Sequence, residues 1–113
     1  MSMTVSTGPK VAYWHHELPP LHAELMGEHT VEASSSRIRG TLVHRDELWD
    51  QCYAELMANT EARLVQEVAR LGGDYAHIHG ESIHPKYDSA TTEAWLHGRF
   101  IYMLYRRPQQ SLR

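Results

Sequence analysis

The chain has 113 residues, of which 42% are hydrophobic and 22% charged, the balance of one soluble globular domain rather than of a disordered segment. Eleven basic against 14 acidic residues leave a net charge of −3 with histidine neutral, which argues against a protein drawn to nucleic acid by charge. The single cysteine, Cys52, excludes an intrachain disulfide, no apolar run approaches the roughly 20 residues of a membrane span, and Met1–Lys10 lacks the apolar core of a signal peptide, so a cytoplasmic location is expected.

Residues 1–20 read as an N-terminal arm. Its polar start is followed by Val11–Leu18, a short strand or a docked segment carrying Tyr13 and Trp14, and Pro19-Pro20 closes it because neither proline donates to a ladder or continues a helix. The expected core spans residues 21–105. In Leu21–Ala33, Leu21, Ala23 and Leu25 alternate with polar neighbours as a strand does, yet Pro20 also suits the first position of a helical turn. Gly27 is then a bulge in the first reading and a helix stop in the second. After Ser34-Ser35-Ser36, the alternation of Ile38, Gly40 and Leu42 predicts a second strand.

Arg45–Leu71 is the clearest element. Leu48, Cys52, Leu56, Leu64 and Val68 recur at steps of four or eight, and Trp49, Tyr53, Val65 and Leu71 broaden the stripe. No proline or glycine interrupts it until Gly72-Gly73, so a helix about 40 Å long is predicted, with Asn59-Thr60 as its weakest point, the place for a kink or a break into two helices. Tyr75–Ile83 predicts a strand with Ala76, Ile78 and Gly80 on one face and Tyr75, His77, His79 and Glu81 on the other. His84–Thr92 reads as a polar loop, Trp95–Tyr105 as a closing strand, and residues 106–113 as a tail. The expectation is therefore a single α+β domain with the order β-β-α-β-β, a mainly antiparallel sheet of about four strands covered by one long helix. Both faces of the closing strand are apolar and one helix covers only one of them. Trp95, Ile101, Met103 and Tyr105 thus require a second partner, and a homo-oligomer is the usual supplier.

Glu67-Val68-Ala69-Arg70-Leu71-Gly72-Gly73-Asp74-Tyr75-Ala76 resembles the helix-to-strand junction of the YbjQ family of small bacterial proteins, where Glu-Ala, two residues and Leu-Gly-Ala precede Asp or Asn and an apolar strand. Ile38-Arg39-Gly40 is similar to the family's glycine-containing second strand, and Gly98-Arg99-Phe100-Ile101 stands where the family has Gly-Thr-Ala-Val. The likeness covers roughly residues 25–105. This sequence departs from the pattern in having Gly73 for Ala, a strand glycine displaced to Gly80, Arg99-Phe100 for Thr-Ala, and no long glycine-bearing connection before the helix. The resemblance implies an α+β domain related to the fold of RcsF, assembly into rings, and a heavy-metal-binding label without an established activity; it transfers no site residues.

Nine histidines are the unusual feature of the composition. His77-Ile78-His79 on a strand puts two imidazoles on one face about 6–7 Å apart. Glu81 continues that face and His97 lies on the strand expected to pair with it. Imidazoles and a carboxylate suit Zn, Ni or Cu, so His77, His79, His97 and Glu81 form the candidate metal set, beside the plainer reading of a solvated or interface strand face. His15-His16-Glu17 is weaker, because adjacent strand residues point to opposite faces. Cys52, on the apolar stripe, reads as core. Arg37, Arg39, Arg106 and Arg107 read as solvated strand ends, and Asp46, Glu47, Asp50 and Glu55 match the positive end of the helix dipole. No phosphate-binding glycine loop and no nucleophile–His–acid spacing is present, and a His79/Glu81 acid–base pair is the one enzymatic alternative. The expected function is thus non-enzymatic: divalent transition-metal binding through strand histidines, or else homo-oligomeric assembly without a metal, with no nucleic-acid or membrane partner.

Overall fold

The last strand decides the architecture, because it alone is apolar on both faces. In a computed structural model that describes residues 10–39 and 45–108 (side chains of 45–48 excepted), the elements are β1 (Ala12–Trp14), β2 (Glu24–Ser34), β3 (Ile38–Arg39), α1 (Arg45–Arg70), β4 (Tyr75–Asp88) and β5 (Glu93–Arg106). The chain is α+β, with one helix on a mostly antiparallel sheet of five strands ordered β1-β4-β5-β2, and β3 pairing with β5 beyond the end of β2. The readings of the polar start, of Gly40–Val43 and His44, of the Leu48 side chain and of the tail from Gln109 lie outside the described residues.

The fifth strand is the Tyr13–Trp14 segment of the arm, which pairs in parallel with β4 through Ala12↔Ala76 and Trp14↔Ile78. The ambiguity over Leu21–Ala33 resolves to strand. Pro20 and Ala23 close a turn, and β2 then runs antiparallel to β5 with a bulge between Leu25 and Gly27, where the glycine takes φ +151°.

Helix α1 runs through Asn59-Thr60 as one element, without a break into two helices. Cys52, Leu56, Thr60, Leu64 and Val68 form one buried line at steps of four. Thr60 fills the gap in the apolar stripe by donating its hydroxyl to the Leu56 carbonyl at 2.7 Å, while Asn59 donates to the Ser34 carbonyl at 2.9 Å. Of the broadening residues, Trp49 and Leu71 pack at the core margin, but Tyr53 and Val65 are exposed. The helix stops where Gly72 turns left-handed at φ +79° and the Gly73 N–H reaches back to the Val68 carbonyl at 2.9 Å, a Schellman closure.

Under the helix lie Val31 and Ala33 of β2, Ala76 and Ile78 of β4, and Leu96, Phe100, Tyr102 and Leu104 of β5. Gly98 lets the layers meet: a Cβ there would sit 2.6 Å from the Phe100 ring and 3.3 Å from Leu56. Trp14 packs edge-on against Phe100 with ring centroids 5.8 Å apart. Tyr102 is wholly buried, and that desolvation pushes its phenol up from the usual range.

Two departures in β4 matter for the site. The segment His84–Asp88 is strand, not loop, because it pairs with Glu93–His97 of β5. Pro85 is tolerated there since its partner Leu96 turns its N–H and C=O to Ser35 on the other side, so no ladder bond is asked of the proline. A bulge between Ile78 and Gly80 also inserts His79 as an extra residue, and a one-residue insertion exchanges the faces of everything after it.

Candidate functional site

The face of the sheet opposite the helix has no covering element among the described residues. Along β5 it carries Trp95, His97, Arg99, Ile101, Met103 and Tyr105, all half-buried except the exposed Arg99. The register sets Glu28, Thr30, Glu32 and Ser34 of β2 on one side of this row, and His77, Gly80, Ser82, His84 and Lys86 of β4 on the other. The open face is therefore apolar along its centre, acidic on the β2 side and imidazole- and lysine-bearing on the β4 side. At one end Arg37 stacks on the Trp95 ring at 4.0 Å, held by Asp88 and Glu93 at 3.7 and 3.5 Å. At the other, Tyr13 meets Tyr75 edge-on at 6.0 Å.

The structure gives each residue of the expected metal set its own neighbourhood. His77 hydrogen-bonds through Nε2 to the His15 carbonyl at 2.8 Å, across the β1 edge. His79, in the bulge, lies 3.2 Å from Glu28. Glu81 has crossed to the helix side, opposite Phe100, and meets His15 at 3.2 Å. His97 sits opposite His84 and not His77, seven residues further along β4, which is about 20 Å at strand rise. The even face count that joined His77, His79 and Glu81 fails at the bulge. Among the described residues no three His, Cys, Asp or Glu side chains are gathered as a ready metal shell. Cys52 is buried, as expected of core. Of the arginines read as solvated strand ends, Arg106 pairs with Glu24 at 2.9 Å and Arg107 reaches Asp74 at 3.8 Å, and the side chains of Asp46 and Glu47 lie outside the described residues.

One polar arrangement on this face escapes sequence reasoning. His97 Nδ1 lies 2.8 Å from the Ser34 hydroxyl and its Nε2 lies 2.9 Å from Glu32 Oε1, so both ring nitrogens are engaged from β2. His84, its cross-strand partner, turns along its own strand to the Ser82 hydroxyl at 2.7 Å. The signal that could have found it is the spacing Glu32-x-Ser34, which puts both side chains on one face of a strand; the missing information was the β2–β5 register.

On the helix side, a groove of about 550 Å³ lies between α1 and the β4–β5 hairpin, lined by Trp49, Asp50, Tyr53, Ile83, Pro85 and Leu96. Asp50 is the charged group of that lining, and the rest is apolar or aromatic. No described helix is long and apolar enough to cross a membrane. In comparisons with known proteins, the chain matches no family model, no curated protein and no solved structure.

Proposed function

We propose that this protein is a self-associating domain without enzymatic activity, and that its open sheet face is the contact between copies. The observation that carries this reading is the half-buried row Trp95, Ile101, Met103 and Tyr105 on a face that no described element covers. Such a row on a small sheet is the kind of surface that a second chain buries.

The distribution of charge favours a second copy of the same chain. A two-fold axis parallel to the strands and lying over β5 turns one sheet face-down on the other. It stacks β5 on β5 and brings the β2 side of each copy over the β4 side of its partner. The apolar rows then meet at the centre, and Glu28 and Glu32 of one copy face the strand bearing His77, His84 and Lys86 in the other. An isologous contact of this kind is self-complementary except at Arg99, which lies in the same row and which the axis sets against its own copy as a like charge.

Light scattering at micromolar concentration tests the reading. A mass at least twice that of one chain is expected for the natural sequence, falling to one chain in Ile101→Glu, with the melting transition retained because Ile101 faces away from the helix. A natural chain that is monomeric throughout, or an Ile101→Glu chain of unchanged mass, overturns it.

A further inference from the structure

We propose that His97, Glu32 and His84 form a site for one divalent transition-metal ion at the Trp95 end of the open face. All three residues belong to one chain, so the site needs no second copy, but they lie on the face proposed as the contact between copies. The titration is therefore read on the Ile101→Glu chain as well as on the natural one. The first observation is a distance. Two donors bound to the same ion at about 2.0–2.1 Å each stand roughly 3 Å apart, and His97 Nε2 and Glu32 Oε1 stand 2.9 Å apart. The second is the group behind the ring. The ligating nitrogen of a metal-bound histidine is oriented by the hydrogen bond that the other nitrogen makes, and Ser34 Oγ lies 2.8 Å from His97 Nδ1. A serine hydroxyl both donates and accepts. It can donate to Nδ1 while the Nε2 proton is shared with Glu32, and accept from Nδ1–H once Nε2 takes the metal. Binding then moves the ring's one proton from Nε2 to Nδ1 and releases none.

His84 supplies the third donor. It is the direct cross-strand partner of His97 on the same face, where Cβ atoms are about 4.5–5.5 Å apart. Its ring must give up the 2.7 Å contact with Ser82 and swing toward His97, a rotation about side-chain bonds of an exposed residue. Two imidazoles and one carboxylate, with water completing the shell, select zinc, nickel or copper(II) over magnesium and calcium. Arg99, the cross-strand partner of both Glu32 and Ser82, is the opposing feature: its positive charge flanks the site and weakens cation binding there.

Titration of the untagged chain with copper(II) and zinc, followed by calorimetry and by electron paramagnetic resonance of the copper form, tests the assignment. One ion per chain is expected, bound more tightly as copper than as zinc, with two imidazole nitrogens in the copper spectrum. His97→Gln and Glu32→Gln should each weaken binding at least tenfold, His84→Gln should leave a single nitrogen coupling, and Ser34→Ala should cost about tenfold. Arg99→Met should tighten binding, and His77→Gln and His79→Gln should leave it unchanged. The glutamine variants keep a hydrogen-bonding side chain, and melting curves certify their folding. A copper spectrum unaltered by His84→Gln, an affinity unaltered by His97→Gln, or equal losses in the His77 and His79 variants overturns the site.

Discussion

The two faces of the sheet are made by the same strands and obey different rules. On the helix side the side chains are closely packed, and the glycine at residue 98 leaves room for the Phe100 ring and Leu56. On the open side, aromatic, aliphatic, imidazole and charged groups stand half-exposed, and at Gly80 an added Cβ would be 3.7 Å from Ile101, an ordinary contact. The covered face holds the fold together, whereas the open face is left with surface that folding alone does not use. Stability belongs to the first, and the surface free for function to the second.

Removing the same kind of group from each face is the sharpest way to break this contrast. Leu64 is completely buried under the helix, so Leu64→Ala should cost about 2–5 kcal/mol. Ile101→Ala, measured under conditions where the chain is monomeric, should cost about 1 kcal/mol, because only part of that side chain is withdrawn from water. Urea denaturation of both variants decides it, and equal losses would mean that the open face contributes as much to folding as the covered one.

Adding a methyl group instead of removing one gives a smaller and opposite pair of effects. Gly98→Ala forces the Phe100 ring to move and crowds the Leu56 side chain, and should destabilise by about 1–3 kcal/mol. Gly80→Ala meets no close atom and has no left-handed backbone to strain, so it should stabilise by about 0.4–1 kcal/mol through the unfolded chain. Melting temperatures moving in the same direction for the two variants would show that packing is not what separates the faces.

The covered face is largely legible in the sequence, and the open face only in part. Step-four spacing needs no partner to be read, so Cys52, Leu56, Leu64 and Val68 fall into place, as do both faces of β5, whose strict alternation runs unbroken through Tyr105. Thr60 reads as a weak point because its polarity hides a hydroxyl that the helix's own carbonyl satisfies. His77, His79, Glu81 and His97 are not brought together, for a different reason. Alternation locates residues on a face only while the count stays even, and nothing in Ile78-His79-Gly80 announces the extra residue that sends Glu81 to the helix side. Pro85 likewise suggests a loop, since its acceptability depends on which way the partner Leu96 points its backbone, and Leu96 is held by Ser35, just beyond β2 on the far side. Cross-strand register, not composition, brings Glu32, Ser34, His84 and His97 together.

The smallest expected effect concerns how the helix is fastened over the face that it covers. Glu55 Oε1 accepts the Ser36 N–H at 2.8 Å and the Ser36 hydroxyl at 2.5 Å, tying α1 to the connection between β2 and β3. The hydroxyl bond first, and the backbone N–H second, hold the Glu55 carboxyl below its ordinary value, against a smaller opposing effect of desolvation. A carboxyl whose value is lower in the folded chain than in the unfolded one, about 4.3, contributes its stability fully above that unfolded value. The contribution is lost as the pH falls through the folded value. Melting temperatures of the natural chain and of Glu55→Gln should therefore differ by a small constant amount from neutral pH down to about pH 5, and the difference should close as the carboxyl protonates below about pH 4. Among the described residues the open face has no helix to fasten, so the tie belongs to the covered side of the sheet. A difference that persisted undiminished in strong acid would mean that Glu55 acts by packing and not by the charge it presents to Ser36.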